Sequence, residues 1–506
     1  GVGDLNEVHR METFDMDATN GFLDSKWYHL YCSVQRCNSA LRVLNAATDE
    51  QVNGRVSRIA EMKVLRAHYY FELSRLFNKI PYFDENVEIS QYPDIPNNEF
   101  TRDEILSMLA KEMLDAAEQL PASQPEVGRI HKYIALAYAA KIKLYQAYQQ
   151  DEITHAVTSI NKELLREVVS LCDQVTASNR YGLLDDFQGL DLVTNENGKE
   201  SVFAIQYSMN DGTESAGRIN WSNLLNSPGG GSPYGGDGFF LPSQDLINAY
   251  QTDANGLPDF NYQSKSDYSW AVLNNGVYTL QNTTPNVDPR LDFVVGRPTI
   301  TWKTYPDKPC EGWVRDKDTY GYNCAKRFWV SPESSDMFNG WPWGASQLNW
   351  QIIRYADILL WKAEALIELN EGNGLETARD LINQIRNRAR NSAYVKDFND
   401  HSKYAANYLV NPYPADVWNQ DYARQALRWE TRLEKALEGE RFFDLVRWGI
   451  VETTMNKYIT AESDNRIYYA NAHFTGGKDE YYPVPNNQYG FSGGKYVQNP
   501  GYAPFN

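Results

Sequence analysis

The chain of 506 residues holds five cysteines and seven histidines. None of them falls in a metal-binding spacing: there is no C-x-x-C, no Cys/His cluster and no H-E-x-x-H. Zinc is therefore not indicated, and neither a metal nor a cofactor is expected. No apolar run approaches the roughly 18 residues that span a bilayer. No Lys/Arg run is present, and 48 basic against 66 acidic residues leave a formal charge of −18. Such a surface repels phosphate backbones, so nucleic acid is not an expected partner. Polyanionic glycans are disfavoured on the same ground, unless a local arginine cluster overrides the net charge. No leader is visible, because the chain opens on the polar Gly1-Val-Gly-Asp-Leu-Asn-Glu7. That start suits either a cytosolic chain or an exported one whose leader and anchor were trimmed.

The cysteines divide by context. Cys32 and Cys37 lie in a helical pattern with their side chains on different faces, and Cys172 sits in another helical run. Cys310 and Cys324 flank the loop 311–323. They can either close a disulfide worth about 3 kcal/mol or remain two buried thiols.

Catalytic signatures are nearly absent too. Gly490-Phe-Ser-Gly-Gly494 fits G-x-S-x-G, but no Asp, Glu or His follows Ser492, so the match reads as a turn. Asp316-Lys-Asp-Thr-Tyr-Gly321 begins like a calcium loop, yet Tyr320 is a poor ligand and Arg327 stands where a bidentate Glu is required. Asp253-Ala-Asn-Gly256 reads as a turn before a cation site. The glycines of 229–238 lack the Lys-Ser/Thr of a phosphate loop. Among 66 acidic residues carboxylate pairs arise by chance, and none stands out as a glycosidase couple. The chain reads as a non-enzyme.

What the chain does have is aromatic side chains and helical periodicity. Phe, Tyr and Trp make up 13%, with 34 Tyr and 13 Trp. Such residues suit half-wet surfaces, including those that stack on sugar rings. Gln351 to Asn370 carries Ile352, Ala356, Leu359, Leu360, Ala363 and Leu366 at helical steps. Gly372 and Gly374 then break the pattern, and Leu375 to Ala389 restarts it with Leu381, Ile382 and Ile385 on one face. This is a helical hairpin, which needs stacked neighbours as tetratricopeptide-like repeats do.

Helical patterns also cover Leu23 to Leu44, Arg55 to Phe77, Thr101 to Leu120, Arg129 to Gln150 and Lys162 to Ala177. Thr101 and Glu104 form a capping box. One domain, 1–506, is expected, with N-terminal helical repeats over 23–178, an irregular aromatic-rich insert over 179–349, and C-terminal repeats with a closing tail over 350–506. Long loops on a rigid scaffold are where binding usually resides.

Several blocks, in order, resemble the SusD/RagB family of glycan-binding outer-membrane lipoproteins. They are Met62 to Phe77 with Ile80-Pro81, Gly128-Arg129 opening Ala135 to Leu144, and Asp288-Pro-Arg-Leu291. Arg354-Tyr-Ala-Asp357, Lys362-Ala-Glu-Ala365 and Ile382-Asn-Gln-Ile-Arg386 follow. Glu430 to Glu434, Glu438 to Gly449, Tyr482-Pro-Val-Pro485 and Gln498 to Tyr502 complete the series. Read from the residues alone, these boxes are structural: Arg441, Asp444 and Arg447 form ion pairs, Phe443 and Trp448 are core, and Gly439 allows close packing.

The resemblance implies a mostly α fold: tetratricopeptide-like hairpins forming an α-superhelical scaffold, with an irregular loop and short-strand insert packed on it. It implies non-enzymatic capture of an extracellular oligosaccharide or polysaccharide at the cell outer membrane. Delivery to a SusC-like TonB-dependent transporter would follow. The protein would face outward, lipid-anchored, with the leader and anchor cysteine trimmed from this chain. Binding aromatics are expected in the insert and on the loop after the first repeat, where Tyr82 and Tyr92 lie. Trp302 and Trp313 rank first, Trp341 and Trp343 next, then Tyr320 and Trp270, with Tyr92 from the loop. Three other readings stay open: a peptide-capturing RagB-like receptor in the same role, a helical scaffold for a protein partner, and a glycosidase.

Overall fold

The computed structural model describes residues 5–213, 217–226, 228, 229, 231–269, 271–274, 277–280, 285–303, 312–321, 323–398 and 400–505. It divides into two compact units. The first comprises Gly1–Arg180, Phe442–Lys457 and Asn471–Asn506, the second Tyr181–Arg441 and Tyr458–Ala470.

The first unit begins with α1 (Asn6–Glu12), α2 (Gly21–Ala46), α3 (Arg55–Phe77), α4 (Arg102–Gln119), α5 (Lys132–Ala147) and α6 (Lys162–Ala177). From α2 onward each helix packs on the next. The starts are set chemically. Asn20 accepts from the amides of Phe22 and Leu23, Asn161 does the same for Glu163 and Leu164, and Thr101 with Glu104 makes the expected reciprocal cap. The α5 helix stops earlier than its Ala- and Tyr-rich pattern suggests. Arg102 donates to the carbonyls of Tyr145 (3.0 Å) and Tyr148 (3.3 Å), and Tyr148–Gln150 leaves as a strand pairing antiparallel with Val157–Ile160. Propensity did not foresee this hairpin, because the arginine that claims those carbonyls lies 43 residues upstream of Tyr145.

The second unit contributes α7 (Gln244–Ala249), α8 (Arg290–Val294), α9 (Lys317–Tyr320), α10 (Tyr355–Leu369), α11 (Gly374–Asn391) and α12 (Gln420–Glu434). The hairpin expected at 351–389 is α10 and α11, except that 351–354, with Ile352, is strand and not helix, because it pairs with Ser201–Ile205. Asn370 at φ +51° and Gly372 at φ +53° end the first helix. Leu359, Leu360, Ala363 and Ile367 then close on Ile382 and Ile385 of α11 and on Ala423, Ala426 and Leu427 of α12. Each large side chain removed from water there contributes about 1.5–3 kcal/mol. The insert supplies only short strands. Ser201–Ile205 pairs antiparallel with Trp350–Arg354, and that pairing sets Glu200 beside Arg354.

Around those two residues lies a buried ionic network. Arg354 pairs with Glu200 (2.9 Å), Glu434 (2.7 Å) and Glu438 (2.9 Å). Arg388 bridges Glu200 and Glu434, while Arg290 joins Asp288, Glu430 and Glu434, and Arg386 completes Glu430. Through Glu438 the network continues to Arg327, Asp191 and Lys303, and to Lys435 and Asp357. Among the described residues seven cations thus meet seven carboxylates, so this desolvated set is neutral. Burial pushes the Glu434 carboxyl up, but Arg388, Arg354 and Arg290 outweigh it and hold it at about 2. The boxes at 288–291, 354–357, 382–386, 430–434 and 438–449 each contribute residues to this one network.

The ion pair expected in the last box is present for Arg447 but lies within its own helix, so it does not lock one helix to another. Arg447 pairs with Asp444 at 2.9 Å and lies over the rings of Tyr145, Tyr148 and Trp448. Trp448 is buried. Phe443 is half-buried, with the Arg75 guanidinium 4.1 Å above its ring. Gly439 does not serve close packing: it adopts φ +81°, and a Cβ there would meet nothing within 4 Å. Its freedom is used for the left-handed turn ahead of α13 (Arg441–Arg447). The chain then runs through α14 (Val451–Glu462) and α15 (Asn486–Phe491). Ser492 is buried, its hydroxyl donating to the Tyr489 carbonyl (2.8 Å) and accepting from the Lys495 amide (3.2 Å). It staples a turn, as its sequence context suggested. Among the described residues no helix is long and apolar enough to cross a membrane.

Candidate functional site

Two loops of the second unit carry exposed indoles. Trp221 follows Asn220, whose amide donates to the Ser346 carbonyl at 2.8 Å and whose side chain donates to the Leu348 carbonyl at 2.9 Å. Those bonds tie the 217–226 loop to the 331–346 loop. The second loop is folded on itself by the bonds Phe338 N to Ala345 O (2.9 Å) and Ala345 N to Pro342 O (3.3 Å). At its tip stand Trp341, 61% exposed, and Trp343, 44% exposed. Trp341 and Trp221 meet edge to face with ring centroids 5.2 Å apart, and Trp221 is itself 40% exposed. Edge-to-face contact fixes two large rings against each other while leaving faces in water.

Glycines allow this display. Gly344 takes φ +70°, and a Cβ there would collide with the buried Trp329 ring at 2.2 Å. Gly235 lets the Trp343 indole lie against the backbone, at 3.3 Å from a notional Cβ. Two residues on, Asp237 pairs with Arg315 at 2.8 Å, and Arg315 also donates to the Gly236 carbonyl. Both charges reach solvent and can hydrogen-bond hydroxyl groups. Asp336 caps the loop through Ser334 and Gln347. Burial, aided by the Asp336 charge and opposed by the Asn349 amide, pushes the Glu196 carboxyl up to about 7. The arrangement offers flat apolar faces beside polar groups. Among the described residues no group of three or more His, Cys, Asp or Glu is set to hold a metal ion.

The residues named from sequence separate sharply. Trp302 and Trp313, ranked first, are buried at 0% and 2% exposure. Their rings pack 5.1 Å apart with Tyr234 and Trp329, and the Trp302 Nε1–H donates to the Tyr234 hydroxyl at 3.0 Å. With Gly296 closing over it, Trp302 presents no face to a ligand; these two indoles are core and not platform. Their covering partner Tyr234 lies 68 residues from Trp302, beyond what neighbouring sequence shows. Tyr320 is half-buried against Tyr468, 5.8 Å between centroids. Trp270 lies outside the described residues. Tyr92 belongs to the first unit, is mostly buried, and stacks on Phe83 at 3.8 Å. Cys324 is a buried free thiol, and Cys310 lies outside the described residues. Trp341 and Trp343 are the two of the named tryptophans that stand exposed among the described residues. Trp221 was missed, although its setting in Asn220-Trp-Ser-Asn223 carries the same signal: an indole flanked by polar residues with no apolar periodicity.

Residues 199–502 match the model of the SusD family, and residues 4–144 match a second model described as "Starch-binding associating with outer membrane". The chain belongs to the SusD family. Among curated SusD-like proteins it is similar to protein P2 of Formosa agariphila, at 24% identity over 99% of this chain and 85% of that one. It is also similar to one from Bacteroides ovatus, at 22% identity over 88% of this chain and 70% of that one. The SusD-like fold is equally clear in solved structures. A SusD superfamily protein from Bacteroides vulgatus superposes with a TM-score of 0.72 at 22% identity, covering 99% of this chain and 90% of the other. Surface glycan-binding protein A from Bacteroides thetaiotaomicron, solved with laminarihexaose, gives 0.66 at 20% identity, covering 99% and 90%. The mostly helical architecture expected from the sequence is the SusD architecture.

Proposed function

We propose that this protein captures an oligosaccharide or polysaccharide without cleaving it, at the outer-membrane surface. The observation that carries the reading is the exposed Trp221–Trp341 pair with Trp343 two residues on. A pyranose has apolar C–H faces that stack on indole, and an equatorial rim of hydroxyls that Arg315 and Asp237 can meet. Each stack is worth about 0.5–1.5 kcal/mol, so a polymer engaging several at once gains through avidity. Support comes from the family model named for starch binding and outer-membrane association, and from the relative solved with laminarihexaose. In the same reading the captured glycan passes to a TonB-dependent, SusC-like transporter, and an N-terminal lipid holds the protein on the outward face. In the same reading Tyr320 and Trp270 contribute further contacts.

Affinity electrophoresis in gels containing neutral polysaccharides tests this. Retardation by one polymer, reduced in Trp341→Ala and in Trp221→Ala with unchanged thermal melting, is the expected result. Retardation undiminished by both substitutions refutes the platform. Binding of peptides and of no carbohydrate points to the peptide-capturing role, and release of shortened sugars by the purified protein overturns the non-enzymatic reading.

A further inference from the structure

We infer that the first unit carries a second, separate ligand site, a hollow of about 560 Å³ shaped for a planar aromatic carboxylate. The inference goes beyond the carbohydrate reading and does not rest on it. The volume falls within the roughly 300–1,000 Å³ of small-molecule pockets. Seven of its twelve lining residues are aromatic, drawn from α2, from the loop after α3, and from the tail around α15. The inner wall is rigid: Trp27 meets Tyr31 at 5.2 Å and Tyr496 at 6.1 Å, and Phe83 stacks on Tyr92. Arg42 fixes the Tyr92 hydroxyl at 3.0 Å. The mouth is open, with Tyr28 58% and Phe491 64% exposed.

The polar groups of the hollow are one guanidinium, three carboxamides, a thiol and four tyrosine hydroxyls, and several are already bonded within the chain: Gln35 to Ser39, Tyr31 to the Pro81 carbonyl and Tyr92 to Arg42. Gln35 and Arg36 line it from α2 and Asn487 and Gln488 from the tail. The two tail amides donate to the oxygens of Asp24 at 2.8 Å each, which pins the tail to α2 and engages that carboxylate. Arg36 has no carboxylate partner among the described residues, in a chain of 66 acidic side chains. Arg36 is exposed at the rim of an aromatic hollow, and an unpaired guanidinium there attracts an anion whose body is flat and apolar. A sugar suits the hollow less well. Its hydroxyls surround the ring, and most would lose water against aromatic walls without gaining a partner. An aryl ring instead finds edge and face contacts, and its single carboxylate reaches Arg36.

Saturation-transfer NMR and calorimetry on the intact chain test this with 4-hydroxycinnamate and its neutral methyl ester. The expected result is binding of the acid with transfer strongest at its ring protons, and at least about tenfold weaker binding of the ester. Arg36→Gln should weaken the acid by a similar factor, and added salt should do likewise. Phe491→Ala, at an exposed position, should weaken acid and ester alike by about threefold. Arg36→Gln should leave retardation by polysaccharide gels unchanged, so failure here and failure of the platform are told apart. No saturation transfer, equal affinity for acid and ester, or indifference to Arg36→Gln would each overturn the assignment.

Discussion

Replacing Glu434 by Gln removes one charge from the middle of the buried network while nearly preserving shape. The carboxylate is fully buried and accepts from Arg354 at 2.7 Å, from Arg290 at 3.1 Å and from Arg388. Gln offers one acceptor in place of two and turns an N–H donor toward guanidinium groups that also only donate. The network then holds seven cations and six carboxylates. Losing one partner of a buried ion pair costs about 3–5 kcal/mol, because the remaining charge stays desolvated. Spread over a unit of this size, that corresponds to roughly 6–20 °C of melting temperature. Thermal and urea unfolding followed by tryptophan fluorescence measure it. Glu434→Gln combined with Arg388→Met restores neutrality and should destabilise by less than the sum of the two single changes. A single variant within about 1 kcal/mol of wild type, or strict additivity in the double variant, refutes charge balance as what holds these boxes together.

Other outcomes follow from the same geometry. Trp341→Ala should weaken polysaccharide binding about 2–12-fold, one stack's worth, measured by calorimetry with a defined oligomer. Gly344→Ala touches no indole of the platform, yet its Cβ would strike Trp329, so it should cost about 1–3 kcal/mol and weaken binding with Trp341 and Trp343 intact. His68 gives a pH signature. Burial pushes its imidazole down to about 4, with Nδ1 2.7 Å from the Tyr138 hydroxyl. Unfolded, it titrates near about 6.5, so between those values the unfolded chain binds the extra proton. Its contribution is complete above about 6.5 and lost as pH falls toward 4, and His68→Gln should reduce the pH dependence of the urea midpoint over that window, with His131 and His155, also pushed down to about 4 by burial, carrying the rest.

Helix identity was legible because it is written locally. The 3.6-residue spacing of Leu359, Ala363 and Leu366, the Thr101–Glu104 box and the Asn370–Gly372 stop each act within a few positions, and helices stand where they place them. The turn at Ser492 was readable for the same reason, its hydroxyl partners lying within three residues. The early end of α5 was not, since Arg102 reaches it from another helix.

Sequence by itself determined that this chain builds paired helices, that its charged boxes serve structure, and that its tryptophan-rich loops lie among polar neighbours. Whether an indole faces water is a different kind of fact. Trp302 and Trp341 both sit in loop-like sequence, but one is sealed under Gly296 with Tyr234 on its N–H while the other stands 61% exposed against Trp221. Exposure depends on what packs from far along the chain, and only the tertiary structure brings those partners together. The neutral seven-and-seven network has the same origin: Glu200 and Arg354 are 154 residues apart and meet only because two short strands pair.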